Sequence, residues 1–364
     1  MNICIIGDGL TSLSLAKNLI DKKVNVHIYS EYKNKKLIPG RTIGISKNNL
    51  DFFKKEISQI PKKNYWEIKK IEIYSQKLKN ENLLNFENKK NNLFYMVKND
   101  QLYDSLRKKV FKNKFFNSTI IKKTFKEEQL NKKEYDLIIN CDSNNQLSKK
   151  FFFKKISKDY NSHAFTAILE HQTLTNNIAV QIFTKFGPIA YLPISNTKTS
   201  VVYSLENKKK EYSQEEVIKL INKHNTKFKI KNISNISSFN LRSSNLRNYY
   251  YNKILAFGDL LHRVHPLAGQ GFNMTIRDIK ILSDIIQDKI DLGLQLDSFV
   301  FKDFEKKMKH KNFIFSNIID LIYEFFNFDK KNDNKNLSKI LKMIGKSKNL
   351  SNAFIKIADR GLNI

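Results

Sequence analysis

Residues 254–278 read ILAFGDLLHRVHPLAGQGFNMTIRD, and the order of residue types in this stretch decides the fold. Four apolar residues, Ile254-Leu255-Ala256-Phe257, read as a buried strand that stops at Gly258-Asp259. A polar loop with Pro266, Gly269 and Gly271 follows. From about Asn273 onward, Ile276, Ile279, Leu282 and Ile286 recur at helical spacing and predict a helix. A strand that delivers an acid to the mouth of a loop, with the loop ending at a helix N-terminus, suits a bound cofactor. Asp259 is placed to accept hydrogen bonds from hydroxyls, and backbone N–H groups at the helix start meet anionic oxygens.

The N-terminus repeats the arrangement. A short apolar strand at residues 2–6 ends in Gly7-Asp8-Gly9-Leu10-Thr11-Ser12. A helix carrying Leu13, Leu15, Ala16, Leu19 and Ile20 follows, then an alternating strand at 24–29. In this βαβ opening Gly7 permits a tight turn and Gly9 lets the backbone approach a pyrophosphate, while Ser12 stands where a third glycine is usual. An acid about 20 residues past such glycines holds the adenosine ribose. Ser30 takes that place here and Glu31 follows it. Glu31 is the expected ribose contact; a weaker contact from Ser30, with Glu31 merely solvated, is the alternative.

With 364 residues, of which 41% are hydrophobic, the chain can bury a large core in more than one domain. The two cysteines, Cys4 and Cys141, sit in apolar strand-like runs and read as buried small hydrophobes, which argues against a disulfide framework or a Cys-based zinc site. Met1 leads directly into a strand, so no signal peptide is expected, and no run is long and apolar enough to span a bilayer. The net charge of +30 fits an anionic partner. The lysines are spread along the whole chain without a nucleic-acid module, so no nucleic-acid partner is expected. An anionic membrane surface stays open, as does the compositional bias of an AT-rich genome.

The motifs carry a family resemblance. Gly258-Asp259-Leu260-Leu261-His262, His265-Pro266, Gly269-Gln270-Gly271-Phe272-Asn273 and Asp278 resemble the second flavin-contact motif of the class A flavoprotein monooxygenases. That motif runs G-D-A-A-H, H-P, G-Q-G-x-N and a later Asp; two alanines are leucines here. The branch this chain resembles is the ubiquinone-biosynthesis hydroxylases. Arg41-Thr42-Ile43-Gly44-Ile45-Ser46 is similar to the family's R-x-x-x-L-S segment, whose arginine reaches the cofactor pyrophosphate. Val97-Lys98-Asn99-Asp100-Gln101-Leu102 is similar to V-E-N-x-x-L, with Lys98 for the glutamate and Gln101 as a polar contact to the cofactor. A later D-G-x-x-S-x-x-R element, which touches flavin and pyridine nucleotide, keeps only Asp142, with Lys149 at the arginine's place.

Elsewhere, residues 65–75 read as one strand and 80–92 as a solvated polar loop. Residues 163–205 read as three strands, similar to the branch's A-x-E-x-F…G-P-x-A-x-L-P sheet, with His171 as a structural histidine and Trp66 as a packing residue. Residues 296–309 and 313–328 read as two helices, and 330–336 as a polar linker.

The resemblance implies an α/β protein of para-hydroxybenzoate hydroxylase-like fold. It pairs a Rossmann-like FAD-binding domain (1–65, 95–155 and 250–300) with a mostly antiparallel β-sheet substrate domain (66–94 and 156–249) and a C-terminal helical region (301–364). It implies FAD bound by Gly7, Gly9, Ser12, Glu31, Arg41, Gln101, Asp259, Gly269, Gln270, Gly271, Phe272 and Asn273. It also implies NADH or NADPH as co-substrate, O2, and hydroxylation of a polyprenylated phenol in ubiquinone biosynthesis. Pro266, with His265 beside it, would shape the reacting face as the catalytic pair; His265 is the candidate general base, with an orienting or buried loop histidine as the alternative. The expected location is cytoplasmic, with the inner membrane surface and other quinone-synthesis proteins as contacts. A soluble aromatic hydroxylase, a non-catalytic flavoprotein scaffold of a quinone-synthesis complex, and a basic membrane- or nucleic-acid-binding protein are the other readings.

Overall fold

The computed structural model describes residues 1–30, 41–76, 81–88, 92–112, 119–121, 123–131, 134–206, 212–234, 236–266, 269–331 and 348–361. Its first sheet is built on the Asn2–Ile6 strand, which pairs in parallel with Asn25–Tyr29 on one side and Leu137–Asn140 on the other. Thr119–Ile121 extends one side, Ile254–Ala256 the other, and the short Tyr250–Tyr251 strand closes the edge antiparallel. Helices cover both faces of such a parallel sheet, so its strands are apolar along their length rather than alternating. Ile3, Cys4, Ile5, Leu137, Ile138 and Ile139 are accordingly all fully buried.

The strand order reverses between Asn2–Ile6 and Leu137–Asn140. In open α/β sheets, the crevice at such a switch point is where ligands bind.

A nine-stranded sheet forms the second layer. Its long strand, Lys155–His171, pairs antiparallel with Lys198–Glu206, Ser237–Leu246 and Ile230–Ile233. Only Lys70–Ser75 runs parallel to its neighbour in it, Ile178–Thr184. A three-stranded sheet of Thr42–Ser46, Phe94–Lys98 and Tyr65–Ile68 packs against the large sheet, with Ile68 and Met96 in one cluster with Ala179 and Thr42 Oγ1 donating to Ser200 Oγ at 3.0 Å. The Gly271–Asp291 helix is the hub of the molecule. It packs against the Leu10–Asp21, Lys47–Glu56 and Ser298–Lys331 helices and against the Thr42–Ser46 strand.

Four expectations need correction. Residues 65–75 are two strands in two sheets, because the chain switches sheets at Lys69, whose N–H donates to the Asn177 carbonyl at 2.9 Å. The expected loop at 80–92 contains a strand, Glu81–Glu87, on the edge of the large sheet. An edge strand keeps one side in water, so Asn and Glu dominate it; Leu83 supplies the buried contact. Residues 163–205 hold four strands rather than three: the end of Lys155–His171, then Ile178–Thr184, Gly187–Pro193 and Lys198–Glu206. The two C-terminal helices are one, Ser298–Lys331. The junction at 310–312 carries no Gly or Pro, so nothing interrupts the helical hydrogen bonds. From residue 332 the expected polar linker lies outside the described residues. Among the described residues no helix is long and apolar enough to cross a membrane.

Candidate cofactor-binding site

The switch-point crevice is formed where three strands end. Gly7 follows the central strand with φ +103°, a conformation that only glycine adopts without strain, and its N–H donates to the Tyr29 carbonyl at 2.8 Å. A Cβ on Gly7 would stand 3.4 Å from Asp142 Cβ, so the loop after Leu137–Asn140 lies directly opposite. Gly258, which follows Ile254–Ala256, has φ +65°, and a Cβ there would meet Thr11 Cγ2 at 2.7 Å. The three loops therefore close on one another, and at Gly258 the contact leaves no room for a side chain on the glycine.

Gly9 behaves differently. It is the N-cap of the Leu10–Asp21 helix, with extended backbone, no side-chain cap and no acid in the first turn. A Cβ on Gly9 would meet nothing within 4 Å. The Gly271–Asp291 helix begins the same way: Gln270 at its N-cap gives no side-chain cap, the first turn has no acid, and a Cβ on Gly271 would also enter open space. The first N–H groups of a helix have no intrahelical partner. Both helix starts thus present donors and positive dipole ends toward space that a ligand's anionic atoms can fill.

The flanking polar groups follow from the same loops. Asp259 is exposed on a short 3-10 turn. Ser12 is buried in the first turn of its helix. Burial pushes the Cys141 thiol up to about 12, with the Ser12 hydroxyl drawing it down and the Asp142 and Asp259 charges adding to the rise. These influences place Cys141 close to Ser12, Asp142 and Asp259. The Asp142 carboxylate accepts the Asn144 N–H at 2.9 Å, and Asn145 caps the following helix through Leu147 N–H. Side-chain hydrogen bonds hold this loop even though its sequence departs from the expected pattern.

A second group of residues supports the Gly269–Asn273 loop. Gly269 has φ +62°, and a Cβ on it would stand 3.9 Å from Gly44 N. The Asn273 side chain is not turned toward the crevice. Its Nδ2 donates to the Gly44 carbonyl at 2.9 Å and the Gly269 carbonyl at 3.2 Å, and its Oδ1 accepts Ser46 N–H and Asn49 Nδ2, both at 2.9 Å. Phe272 packs inward, its ring tilted against Phe53. Only the backbone of these residues is left to meet a ligand. Arg41 is exposed; its carbonyl accepts Asn99 N–H at 3.0 Å and its guanidinium lies 5.7 Å from the Phe239 ring centroid. Gln101 is exposed two residues past Asn99, in the first turn of the Asn99–Phe111 helix. Ser30 is buried and its N–H pairs with Ile121, whereas Glu31 lies outside the described residues.

His265 and Pro266 lie on the other arm of the loop. His265 is 1% exposed and enclosed by the rings of Tyr160 and Tyr323, at 4.8 and 4.4 Å between centroids. Burial, aided by Lys158, lowers its pKa to about 3, so it is a neutral imidazole at physiological pH. Tyr160 donates to the Asp320 carboxylate, which also accepts Ser243 Oγ at 3.3 Å. A β-bulge between Asp159 and His163, with Asn161 at φ +48°, bends the strand that presents Tyr160.

Sequence reasoning passed over this ring of Tyr160, Tyr323 and Asp320. It also assigned no role to His262 and Asp278, which form a fully buried hydrogen-bonded pair, with Asn312 donating to the other Asp278 oxygen at 3.0 Å. His262 and Asp278 were visible as motif residues; Asn312 had no local signal.

Residues 138–290 match the family model described as FAD binding domain. The cofactor that this match supports is FAD. Among curated proteins, the chain is 24% identical over 217 residues to the ubiquinone biosynthesis monooxygenase COQ6 of Caenorhabditis elegans, covering 47% of this chain and 48% of that protein. It is 28% identical over 157 residues to the 3-demethoxyubiquinol 3-hydroxylase of Escherichia coli, covering 40% and 39%. The chain spans about half the length, or less, of the curated relatives it matches. Among solved structures, p-nitrophenol 4-monooxygenase PnpA of Pseudomonas putida aligns with a TM-score of 0.76 at 11% identity, covering 100% of this chain and 98% of that one, a likeness of fold. These matches bear out the resemblance to the ubiquinone hydroxylases among the class A flavoprotein monooxygenases. The open glycines fit FAD as a cradle that a Cβ would fill. Gly9 and the Leu10–Asp21 helix start suit its pyrophosphate, Asp259 its hydroxyls, and the Gly271–Asp291 helix start the end of the flavin that gains negative charge on reduction.

Proposed function

We propose that this chain is an FAD-dependent aromatic-ring monooxygenase that hydroxylates a polyprenylated phenol in ubiquinone biosynthesis. The observation that carries the reading is the pair of uncapped, acid-free helix starts with open glycines, Gly9 and Gly271, in a chain related to ubiquinone hydroxylases. The overall reaction consumes one O2 and one NAD(P)H with a proton. One oxygen atom enters a ring C–H bond as a hydroxyl, and the other leaves as water.

FAD supplies the redox chemistry, and the protein binds, orients and excludes water. Within this reading Gly7, Gly9, Ser12, Arg41, Gln101 and Asp259 serve the adenosine and ribityl parts of FAD. Backbone groups of Gly269, Gln270, Gly271, Phe272 and Asn273 serve the flavin ring. His265 and Pro266 wall the reacting side. A histidine whose pKa burial lowers to about 3 is neutral at physiological pH and too weak a base to take a proton readily. Residues 1–65, 95–155 and 250–300 form the FAD domain, 66–94 and 156–249 the substrate sheet, and 301–364 the helical region. Exposed Phe313, Ile314, Leu321 and Phe328 on the Ser298–Lys331 helix, in a chain of net charge +30, favour contact with an anionic inner-membrane surface, from which an apolar phenol would enter.

An absorbance spectrum of the purified protein, then anaerobic NADH or NADPH with a prenylated phenol, tests the reading. The expected result is a flavin spectrum that bleaches, recovers with O2 and yields a hydroxylated ring. A flavin that never bleaches would point to the scaffold. Failure to bind FAD after reconstitution would overturn the assignment.

A further inference from the structure

The chain's C-terminal helix, Lys348–Arg360, reaches back to the support of the flavin loop. The Lys47–Glu56 helix has no acid in its first turn, and its N-cap Ser46 gives no side-chain cap. Asp359 fills that role from 311 residues away. Its carboxylate accepts Asn48 N–H at 2.9 Å and Asn48 Nδ2 at 2.7 Å, and its carbonyl accepts Ser46 Oγ at 3.1 Å. The capped turn is the one that holds Asn273: Ser46 N–H and Asn49 Nδ2 are both donors to Asn273 Oδ1. Asn273 in turn ties Gly269 to Gly44 and is the third residue of the Gly271–Asp291 helix. Arg277 completes the junction. Its Nε donates to the Asn273 carbonyl at 3.2 Å, its guanidinium lies 4.4 Å from the Phe315 ring centroid, and it packs against Gly361.

We propose that Asp359 is a positioning residue for FAD: by capping the Lys47–Glu56 helix it fixes the two donors that hold Asn273, and so the loop that meets the flavin ring. This rests on the FAD reading above. Loss of the cap frays the first turn, moves Ser46 N–H and Asn49, and loosens the Asn273 side chain that bridges the Gly269 and Gly44 carbonyls.

The test compares wild type, Asp359→Ala, Asp359→Asn and a control cap variant, Ser213→Ala, whose helix lies in the other layer. FAD affinity is read by flavin fluorescence on titration of apoprotein, the ring environment by the visible flavin band, and the fold by the apoprotein Tm. Asp359→Ala should raise the FAD Kd about tenfold and shift the flavin band. Asp359→Asn, which keeps one acceptor, should raise it about threefold. Ser213→Ala should lower Tm with Kd unchanged, because global stability does not enter the Kd of a folded apoprotein. If both Asp359 variants bind FAD as wild type does, with an unshifted band, Asp359 is a structural cap and the proposal fails. If Asp359→Ala does not fold, Asp359→Asn decides by the same readouts. If wild type itself binds no FAD, the functional reading fails and this proposal falls with it.

Discussion

The helices Gln214–His224 and Gly271–Asp291 begin in opposite ways. The first is closed: Ser213 Oγ accepts Glu216 N–H at 3.2 Å, Glu216 accepts Ser213 N–H at 2.9 Å, and Glu215 adds a second acid to the first turn. Its donors and dipole are neutralised by its own sequence. The second is open, with no side-chain cap, no first-turn acid and a glycine facing empty space, and the Leu10–Asp21 helix matches it. A helix that leaves its N-terminus unsatisfied forgoes stabilisation of about 1 kcal/mol. Of the two open ends, the Gly271–Asp291 start lies within the residues that match an FAD binding domain, and under the proposed function both are ends that a ligand would complete.

The largest effect should come from closing an open end. Gly9→Asp places a carboxylate at an N-cap whose extended backbone, φ −71°, accepts any residue, and its Cβ meets nothing within 4 Å. The apoprotein Tm should rise slightly, while FAD affinity falls on the order of 100-fold, because the new charge sits where the pyrophosphate belongs. Unchanged affinity would show that this helix start is not the phosphate site.

A smaller effect concerns the dry arm of the loop that leads to the open end. His265 has an ordinary pKa of 6.5 unfolded and about 3 folded. The unfolded chain therefore takes up the proton first as pH falls. The stability due to neutral His265 is complete above pH 6.5 and is lost as pH falls from there toward 3. Between pH 7 and pH 5 the loss should be about 2 kcal/mol. Denaturant unfolding at both pH values measures it, and His265→Gln should lack this component. An equal pH response in that variant would mean that water reaches the ring and the arm is not dry.

The smallest effect is at the closed end. Ser213→Ala should cost about 1 kcal/mol in unfolding free energy. If it also weakened FAD binding, the contrast between self-capped and ligand-capped helix starts would lose its meaning.

Much of the open side was legible in the sequence. Gly7, Gly9 and Gly258 stand in local strand–turn–helix patterns, and the turn geometry follows from residue type within a few positions. The Asn273 backbone was legible for the same reason, but its side chain was not. Its partners Gly44, Ser46 and Asn49 are more than 200 residues distant, and spacing along the chain carries no information about that. The Glu81–Glu87 strand was hidden because an edge strand needs few apolar residues. The continuity of Ser298–Lys331 was missed because lysines and an asparagine look like a break, although only Gly or Pro would impose one.

By itself, then, the sequence determined the parallel sheet, the glycine turns and the helix starts, since apolar periodicity and backbone freedom are local properties. Tertiary structure alone decided which polar groups face the crevice and which are spent on support. Asp359 caps a distant helix, Asn312 completes the His262–Asp278 pair, and Tyr160 and Tyr323 dry His265. Each depends on three or more segments meeting in space, and a side chain's role there is set by the neighbours that burial brings to it.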